Sequence, residues 1–345
     1  MLPDRSSWFS RKVVLMNVIA TFLIVLLHSE TPLRFGQSLD LGSHPFIFTV
    51  FTLTQIAVPL FFFISALLFY RGCEWKDIPR KLYRRIFSLL IPFLLWNLIW
   101  VAVYWALARI PFTAGRMSLA TPLDTPLQWL DAVWNTRFTP LWFIKYLIFF
   151  CLLSPAVMLL IRNKWVGTVA VAGLLTACVL LHWDSFSLEY WAPVYLAGAL
   201  AGRHLYKPGS EAESGPVVRG PAAAVCFGAA FLGLYAVAVL HQELWVWWQF
   251  AGPLLIWYGF DAFAGRSFGE KFTVRPWMGA TFFIYATHYF LINSGQTLVR
   301  SFLPASPAVL NITFILTPLV TIPLILLVAR WARDWKIYKI LTGGR

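Results

Sequence analysis

Long apolar runs recur along the whole chain, separated by short polar breaks. About twenty helical residues span ~30 Å, the thickness of the hydrocarbon core of a bilayer. The runs predict ten transmembrane helices, at about 13–29, 46–70, 86–107, 140–161, 166–182, 190–206, 221–240, 245–264, 277–296 and 308–329. Runs this long, without strict alternation, specify an all-α, polytopic membrane helical bundle. The predicted organisation is one transmembrane domain, 1–330, followed by a basic amphipathic tail, 331–345.

The breaks carry their own signals. The stretch 109–140 holds Pro111, Gly115, Pro122 and Pro126, then an apolar-aromatic piece, LQWLDAVW, suited to a short interfacial helix or a fold-back over a cavity. The loop 207–220, KPGSEAESGPVVRG, reads as a flexible linker dividing the bundle into six and four spans. In the tail, Trp331, Trp335, Tyr338 and Leu341 recur at helical spacing, which predicts an amphipathic helix against the inner leaflet. Pro59 should kink the second span, and Ser65-Ala66 permits close helix approach. No internal repeat is visible.

Composition supports lipid as the main solvent: 59% of residues are hydrophobic and only 12% charged, half the usual charged share of a soluble domain. The net charge of +13 would suit nucleic acid, but its distribution excludes that reading. With the N-terminus inside, about 22 of the 28 Lys and Arg fall on the cytoplasmic side. Arg34, Arg109, Arg116, Arg137 and Arg300 fall outside, and Lys145 lies within a span. The excess is a topology signal, and it places both termini in the cytoplasm. Arg11 and Lys12 precede the first run, but His28, Ser29 and Glu30 follow it where a leader would carry a small-residue cleavage site. That run is therefore read as the first span. Cys73, Cys151, Cys178 and Cys226 form neither a metal spacing nor a disulfide framework.

The polar residues left inside the spans locate the chemistry. Asn17 and His28 lie eleven residues apart, three helical turns, so they share one face about 16 Å apart along the axis. Imidazole is the side chain best suited to moving protons near neutral pH. Lys145 sits inside PLWFIKYL at a cost of at least ~2.5–3.5 kcal/mol. It either snorkels outward or serves an acceptor, a carboxylate or a developing oxyanion. Trp142 adjoins it one turn earlier. Tyr285 and His288 lie three apart on one face, as an acid–base pair or as a core hydrogen bond. Asp261 is a candidate partner for an intramembrane cation. Arg80, Lys81, Arg84 and Arg85 crowd the entrance to the third span, more cations than topology requires. Guanidinium forks there suit a phosphate-rich ligand.

These blocks, in this order, resemble the acyltransferase-3 family of bacterial integral-membrane acyltransferases, in its stand-alone form. The resemblance covers nearly the whole chain: VIATFLIVLLH ending at His28, VPLFFFISALL, the basic loop leading into SLLIPFLLWN, PLWFIKYL, YWAPVYLAGALAGR, and FFIYATH ending at His288. The family's essential histidine matches His28. Its Arg or Lys eleven positions earlier falls here on Asn17, a departure that removes a charge. Its arginine in the fourth span corresponds to Lys145, which keeps the charge and loses the fork. Its Arg-x-x-Arg pair finds its nearest form in Lys81 and Arg84.

The resemblance implies a multi-pass enzyme of the bacterial inner membrane that moves an acyl group, usually acetyl, from cytoplasmic acyl-CoA to a hydroxyl of a cell-envelope glycan or lipid-linked sugar. On that reading Arg80, Lys81, Arg84 and Arg85 hold the coenzyme's phosphates, with Asn17 along its arm. His28 is the base, and Lys145, Tyr285 and His288 position the acceptor or stabilise the oxyanion, with Trp142 against the substrate. The expected partners are the bilayer, acetyl-CoA as co-substrate and the glycan, with neither metal nor nucleic acid. The competing reading is a transporter or flippase for a polysaccharide or lipid-linked sugar.

Overall fold

A computed structural model describes residues 7–110 and 123–344, apart from the side chains of 265–270. Arg116 and the turn residues Pro111, Gly115 and Pro122 fall outside the described residues. The described chain is helical throughout, with no strand. Its principal helices are α1 (Trp8–Leu27), α2 (Pro45–Thr54), α3 (Ala57–Tyr70), α4 (Ile78–Arg85), α5 (Ile91–Leu107), α6 (Pro126–Trp134), α7 (Trp142–Leu152) and α8 (Ser154–Ile161). They continue with α9 (Lys164–Leu180), α10 (Leu188–Leu200), α11 (Pro221–Leu240), α12 (Trp245–Lys271), α13 (Thr281–Phe302), α14 (Pro307–Ala332) and α15 (Lys336–Leu341).

Each of the ten apolar runs is helical. Among the described residues five helices are long and apolar enough to cross a membrane, or six if the bent pair α7 and α8 forms one span. The rest fall short for identifiable reasons. α9 and α10 are short, and α12 and α13 are diluted by Gln249 and Asp261 and by His288, Asn293 and Gln296.

The helices start and bend where their sequence requires. Ser7, Asn163, Ser187 and Ser306 each accept a backbone N–H at the first turn of α1, α9, α10 and α14. Pro155 opens α8 and accompanies a 66° bend from α7. Pro92 cannot bond back to Ser88, and the chain relaxes there into a π turn, Ile86–Leu90. The second run breaks at Gln55–Ile56, between α2 and α3, and Pro59 sits harmlessly in the first turn of α3. At this break the Thr52 carbonyl accepts both the Gln55 N–H, at 3.2 Å, and the Trp248 indole, at 2.8 Å, and the Gln249 side chain donates to that of Gln55 at 3.2 Å. A break at membrane depth is thus repaired from α12.

α1 runs through the middle of the bundle, against α2, α3, α12, α13 and α14. Beside it α3 and α10 cross closely. A Cβ at Gly198 would lie 2.2 Å from the carbonyl oxygen of Phe63, and one at Gly202 2.3 Å from that of Leu67. Small residues four apart permit that approach. α9 and α11 lie at the periphery, with only Gly167 and Cys178 fully buried on the one and Ala238 on the other, as helices with a lipid-facing side require.

Two expectations are corrected. The loop 207–220 is not a free linker. Arg71 pairs with Glu213 and donates to the Tyr206 carbonyl at 3.0 Å, and the Val217 N–H donates to Asp261 at 3.1 Å. The tail does not form one amphipathic helix. The helix breaks after Ala332, leaving Trp331 and Trp335 exposed, while Tyr338 turns inward onto Phe283 at 5.1 Å and the Trp96 indole donates to the Leu341 carbonyl at 2.9 Å. The tail thus docks against α5 and α13 through aromatic contacts and a hydrogen bond.

Candidate functional site

α1 ends at Leu27, and His28 caps it as the chain turns away. The turn is anchored on both sides. The Ser29 hydroxyl donates to the Val25 carbonyl at 2.7 Å, the Gln296 amide donates to the Ser29 carbonyl at 3.1 Å, and the Thr31 hydroxyl donates to the Leu310 carbonyl at 2.9 Å. His28 is therefore pinned between α13 and α14, half-buried.

Its neighbour is His288. The two rings lie 5.3 Å apart between centroids, inclined by 36°. His288 is fully buried, and its Nδ1 lies 2.8 Å from the Tyr285 carbonyl and 3.1 Å from that of Ile284. Carbonyls only accept, so Nδ1 carries the proton and Nε2 is left with a bare lone pair. That nitrogen is buried without a partner. An unpaired buried acceptor costs about 1–3 kcal/mol, and here it offers a proton acceptor in a site shielded from water.

Polar groups gather around the pair. Tyr289 meets the His28 ring edge-on at 5.2 Å, and the Arg34 guanidinium sits 5.3 Å over the Tyr289 ring. Arg34 also reaches Glu30 at 3.5 Å. One turn along α13, the Asn293 amide donates to the Tyr104 hydroxyl at 3.4 Å. The Glu30 Oε2, Arg34 Nε, Asn293 Oδ1 and Gln296 Oε1 atoms are buried without partners. The sequence reading named none of these six residues as part of the site. Glu30 and Arg34, four apart just past the first span, and the polar series Tyr289, Asn293, Gln296 on one face of a helix were the available signals.

Other sequence candidates lie elsewhere or are otherwise engaged. The Tyr285 ring is 5.9 Å from that of His288, but its hydroxyl donates to the Pro140 carbonyl. Lys145 reaches to Asn135 Oδ1, at 3.3 Å, in the connection after α6. Trp142 packs among Tyr146, Phe186 and Trp191. The Asn17 amide donates to its own helix at Val13, at 2.9 Å. The four cations divide between two faces of α4 and the turn that follows. Arg80 and Arg84 are exposed, whereas Lys81 donates to the Phe69 carbonyl and Arg85 lies over the Phe69 ring at 5.6 Å. Among the described residues none of Arg80, Arg84 and Arg85 enters an ion pair, so their charge is available to an anion. Asp261 pairs with Lys12, a partner the sequence reading did not name.

α5 leads from the end of the basic helix α4 to α13, which carries His288. Ser88, in the π turn after α4, and Trp100, whose indole donates to the Ala286 carbonyl at 2.8 Å, lie about 18 Å apart along the axis.

Comparison with known proteins agrees with this architecture. A family model described as an acyltransferase domain, that of acyltransferase-3, matches residues 14–330. The chain is also 30% identical over 164 residues to the succinoglycan biosynthesis protein ExoH of Rhizobium meliloti (strain 1021). That alignment covers 45% of this chain and 44% of that protein, so it spans less than half of the relative's length. No solved structure matches the chain. With the family match running through nearly the whole helical bundle, the chain belongs to the acyltransferase-3 family and is a multi-pass membrane protein with an acyltransferase domain.

Proposed function

We propose that the protein moves an acyl group, acetyl in the simplest case, from cytoplasmic acyl-CoA to a hydroxyl of a cell-envelope glycan or lipid-linked sugar. The reading places it in a bacterial inner membrane, with ten helices across the bilayer and both termini in the cytoplasm. The asymmetry of Lys and Arg supports that orientation. A relative named for succinoglycan biosynthesis supports a glycan acceptor. Exposed Arg80 and Arg84 suit the coenzyme's phosphates, and the ~18 Å between the π turn and Trp100 suits an extended arm between them and the histidines.

The observation that carries the reading is the histidine pair with its bare, buried Nε2. His28, half-buried at the end of α1, is the general base. His288, fixed in one tautomer by two carbonyls, orients the hydroxyl or the His28 ring through its free lone pair. The thioester supplies the electrophilic carbon. As the acceptor oxygen bonds to that carbon, His28 takes the hydroxyl proton. The carbon–sulfur bond breaks, and the proton passes to the departing thiolate. Tyr285, with its hydroxyl held by Pro140, serves as a wall of the site.

The test is a His28→Ala variant that folds normally, assayed for acyl transfer from labelled acetyl-CoA and by mass analysis of the envelope glycan. Loss of about 10²–10⁴ in turnover is expected. A full rate removes His28 from catalysis. Transfer that persists in His288→Gln as well refutes the proposed site.

A further inference from the structure

Beside the histidine pair, four side chains are each left with an unused polar atom: Glu30 Oε2, Arg34 Nε, Asn293 Oδ1 and Gln296 Oε1. They form one patch. Glu30 reaches Arg34, Arg34 covers Tyr289, Tyr289 meets His28, Asn293 lies one turn beyond Tyr289 on α13, and Gln296 donates to Ser29. Each unpaired buried group costs about 1–3 kcal/mol. Four such groups in one patch are a poor outcome for packing alone and a good one for a site awaiting a polar ligand.

We propose that Glu30, Arg34 and Asn293, flanked by Tyr104 and Tyr289, form the acceptor subsite and select an uncharged, hydroxyl-rich sugar ring. This rests on the histidine pair being the place of transfer, and it adds which residues hold the acceptor and what charge the acceptor carries.

The unused atoms define the ligand. Glu30 Oε2, Asn293 Oδ1 and Gln296 Oε1 accept, and Arg34 Nε donates. A hydroxyl does both at once, so neighbouring hydroxyls on one ring satisfy a mixed set that neither an amine nor a carboxylate can. Charge points the same way. Glu30 reaches Arg34 at 3.5 Å, so an anion bound here would have to share that guanidinium with the Glu30 carboxyl. A carboxylate bound to Arg34 would also stand against the Glu30 carboxylate. Half-buried Tyr104, stacked on Phe138 at 5.0 Å, and half-buried Tyr289 supply the flat apolar surface that the C–H face of a sugar covers. Arg34 and Tyr289 lead directly to the His28 ring, so a sugar held here presents a hydroxyl to the base.

The experiment uses the full chain in nanodiscs without acyl donor. Binding of neutral glucose and galactose tetrasaccharides, and of a glucuronate tetrasaccharide, is followed by saturation-transfer NMR. A neutral tetrasaccharide should bind saturably and at least roughly tenfold more tightly than the glucuronate. Glu30→Gln, Arg34→Lys and Asn293→Ala should each weaken it roughly tenfold to a hundredfold. His288→Gln should keep binding and lose transfer. With donor present, Glu30→Gln and Asn293→Ala should raise the acceptor KM and leave the donor KM unchanged, with thermal melting near that of the parent chain. Tyr289→Leu gives a variant that leaves the ion pair intact, and it should weaken binding as well.

Preference for the glucuronate, absence of saccharide binding, or unchanged binding in Glu30→Gln and Asn293→Ala overturns the subsite. Acyl transfer with an unaltered acceptor KM in those variants overturns it while leaving the acyltransferase reading standing. Variant-sensitive sugar binding in a protein that transfers no acyl group upholds the patch as a sugar site and removes its link to acyl transfer.

Discussion

Lys12 on α1 and Asp261 on α12 form an ion pair of 2.9 Å in which both side chains are almost wholly buried. Lys12 also lies 4.1 Å over the Trp257 ring, and Asp261 accepts from the Trp8 indole at 3.2 Å and the Val217 N–H at 3.1 Å. One carboxylate therefore ties together the start of the central helix, a second helix and the 207–220 loop. Such a pair is a weak source of net stability but costly to break halfway.

Removing one partner strands the other. Lys12→Met is expected to destabilise the protein by about 3–5 kcal/mol. Adding Asp261→Asn should recover most of that loss, because the amide carbonyl still accepts from Trp8 or Val217 while the unpaired charge is gone. Thermal unfolding in detergent, followed by tryptophan fluorescence, reads both. If the double variant is no better than Lys12→Met, the pair is not what holds these segments.

The α3–α10 crossing gives a sharper steric test. Gly198→Ala and Gly202→Ala place a carbon against a carbonyl oxygen of the facing helix, and backbone cannot rotate away. Each should cost about 1–3 kcal/mol, with Gly198→Val worse. Gly173→Ala on α9 is the control, because nothing lies within 4 Å of a Cβ there. It should be neutral or stabilising by up to ~1 kcal/mol, since alanine favours helix. Equal melting temperatures for all three alanine variants would mean that the crossing is not tight.

How much of this was legible follows from what each signal encodes. Apolar runs located the helices, but the proline read as a kink, Pro59, sits in a first turn, while the bends fall at Pro92 and Pro155. Periodicity gives a face, however, and not the partner that covers it. His28 was read with Asn17 and His288 with Tyr285, each within its own helix, because the pairing of the two imidazoles depends on how α1 and α13 pack. Lys145 was read as an intramembrane cation, and its direction was set by Asn135 in a loop no helical pattern describes. The Gly, Pro and Ser content of 207–220 spoke for flexibility, while the residues that pin it, Arg71 and Asp261, lie far away in sequence. Tyr338 stood in an amphipathic pattern, but the pattern could not distinguish lipid from the Phe283 ring.

The docked loop should loosen in acid. The Gly209 N–H, and then the Arg71 guanidinium, hold the Glu213 carboxyl below its ordinary value of 4.5. A carboxylate depressed in the folded state stabilises it above the unfolded value, and the contribution fades as pH falls through the folded one. Limited proteolysis within 207–220 should therefore be slow near neutrality and accelerate below about pH 4. Glu213→Gln should be cleaved readily at both. Cleavage of the parent chain that is equally fast at neutral and acid pH would show the loop to be undocked.

The split of the basic cluster predicts a split in phenotype. Arg80 and Arg84 stand four apart on the exposed side of α4 with no ion-pair partner among the described residues, whereas Lys81 and Arg85 are engaged with Phe69. Hydrogen bonds to charged groups contribute about 1.5–3 kcal/mol each. The double variant Arg80→Gln/Arg84→Gln should therefore weaken coenzyme A binding by roughly 10² or more, leave kcat little changed and keep the parent melting temperature. Exposed charges are screened, so raising the salt from about 0.05 to 0.5 M should weaken coenzyme binding to the parent chain and narrow its advantage over the variant. Arg85→Gln should act in the opposite sense, lowering stability more than affinity, because its guanidinium packs over a ring inside the bundle. Calorimetric titration of coenzyme A into the purified protein separates these outcomes. Absence of saturable binding to the parent chain would leave the exposed cations to membrane topology alone and favour transport of the sugar over its acylation.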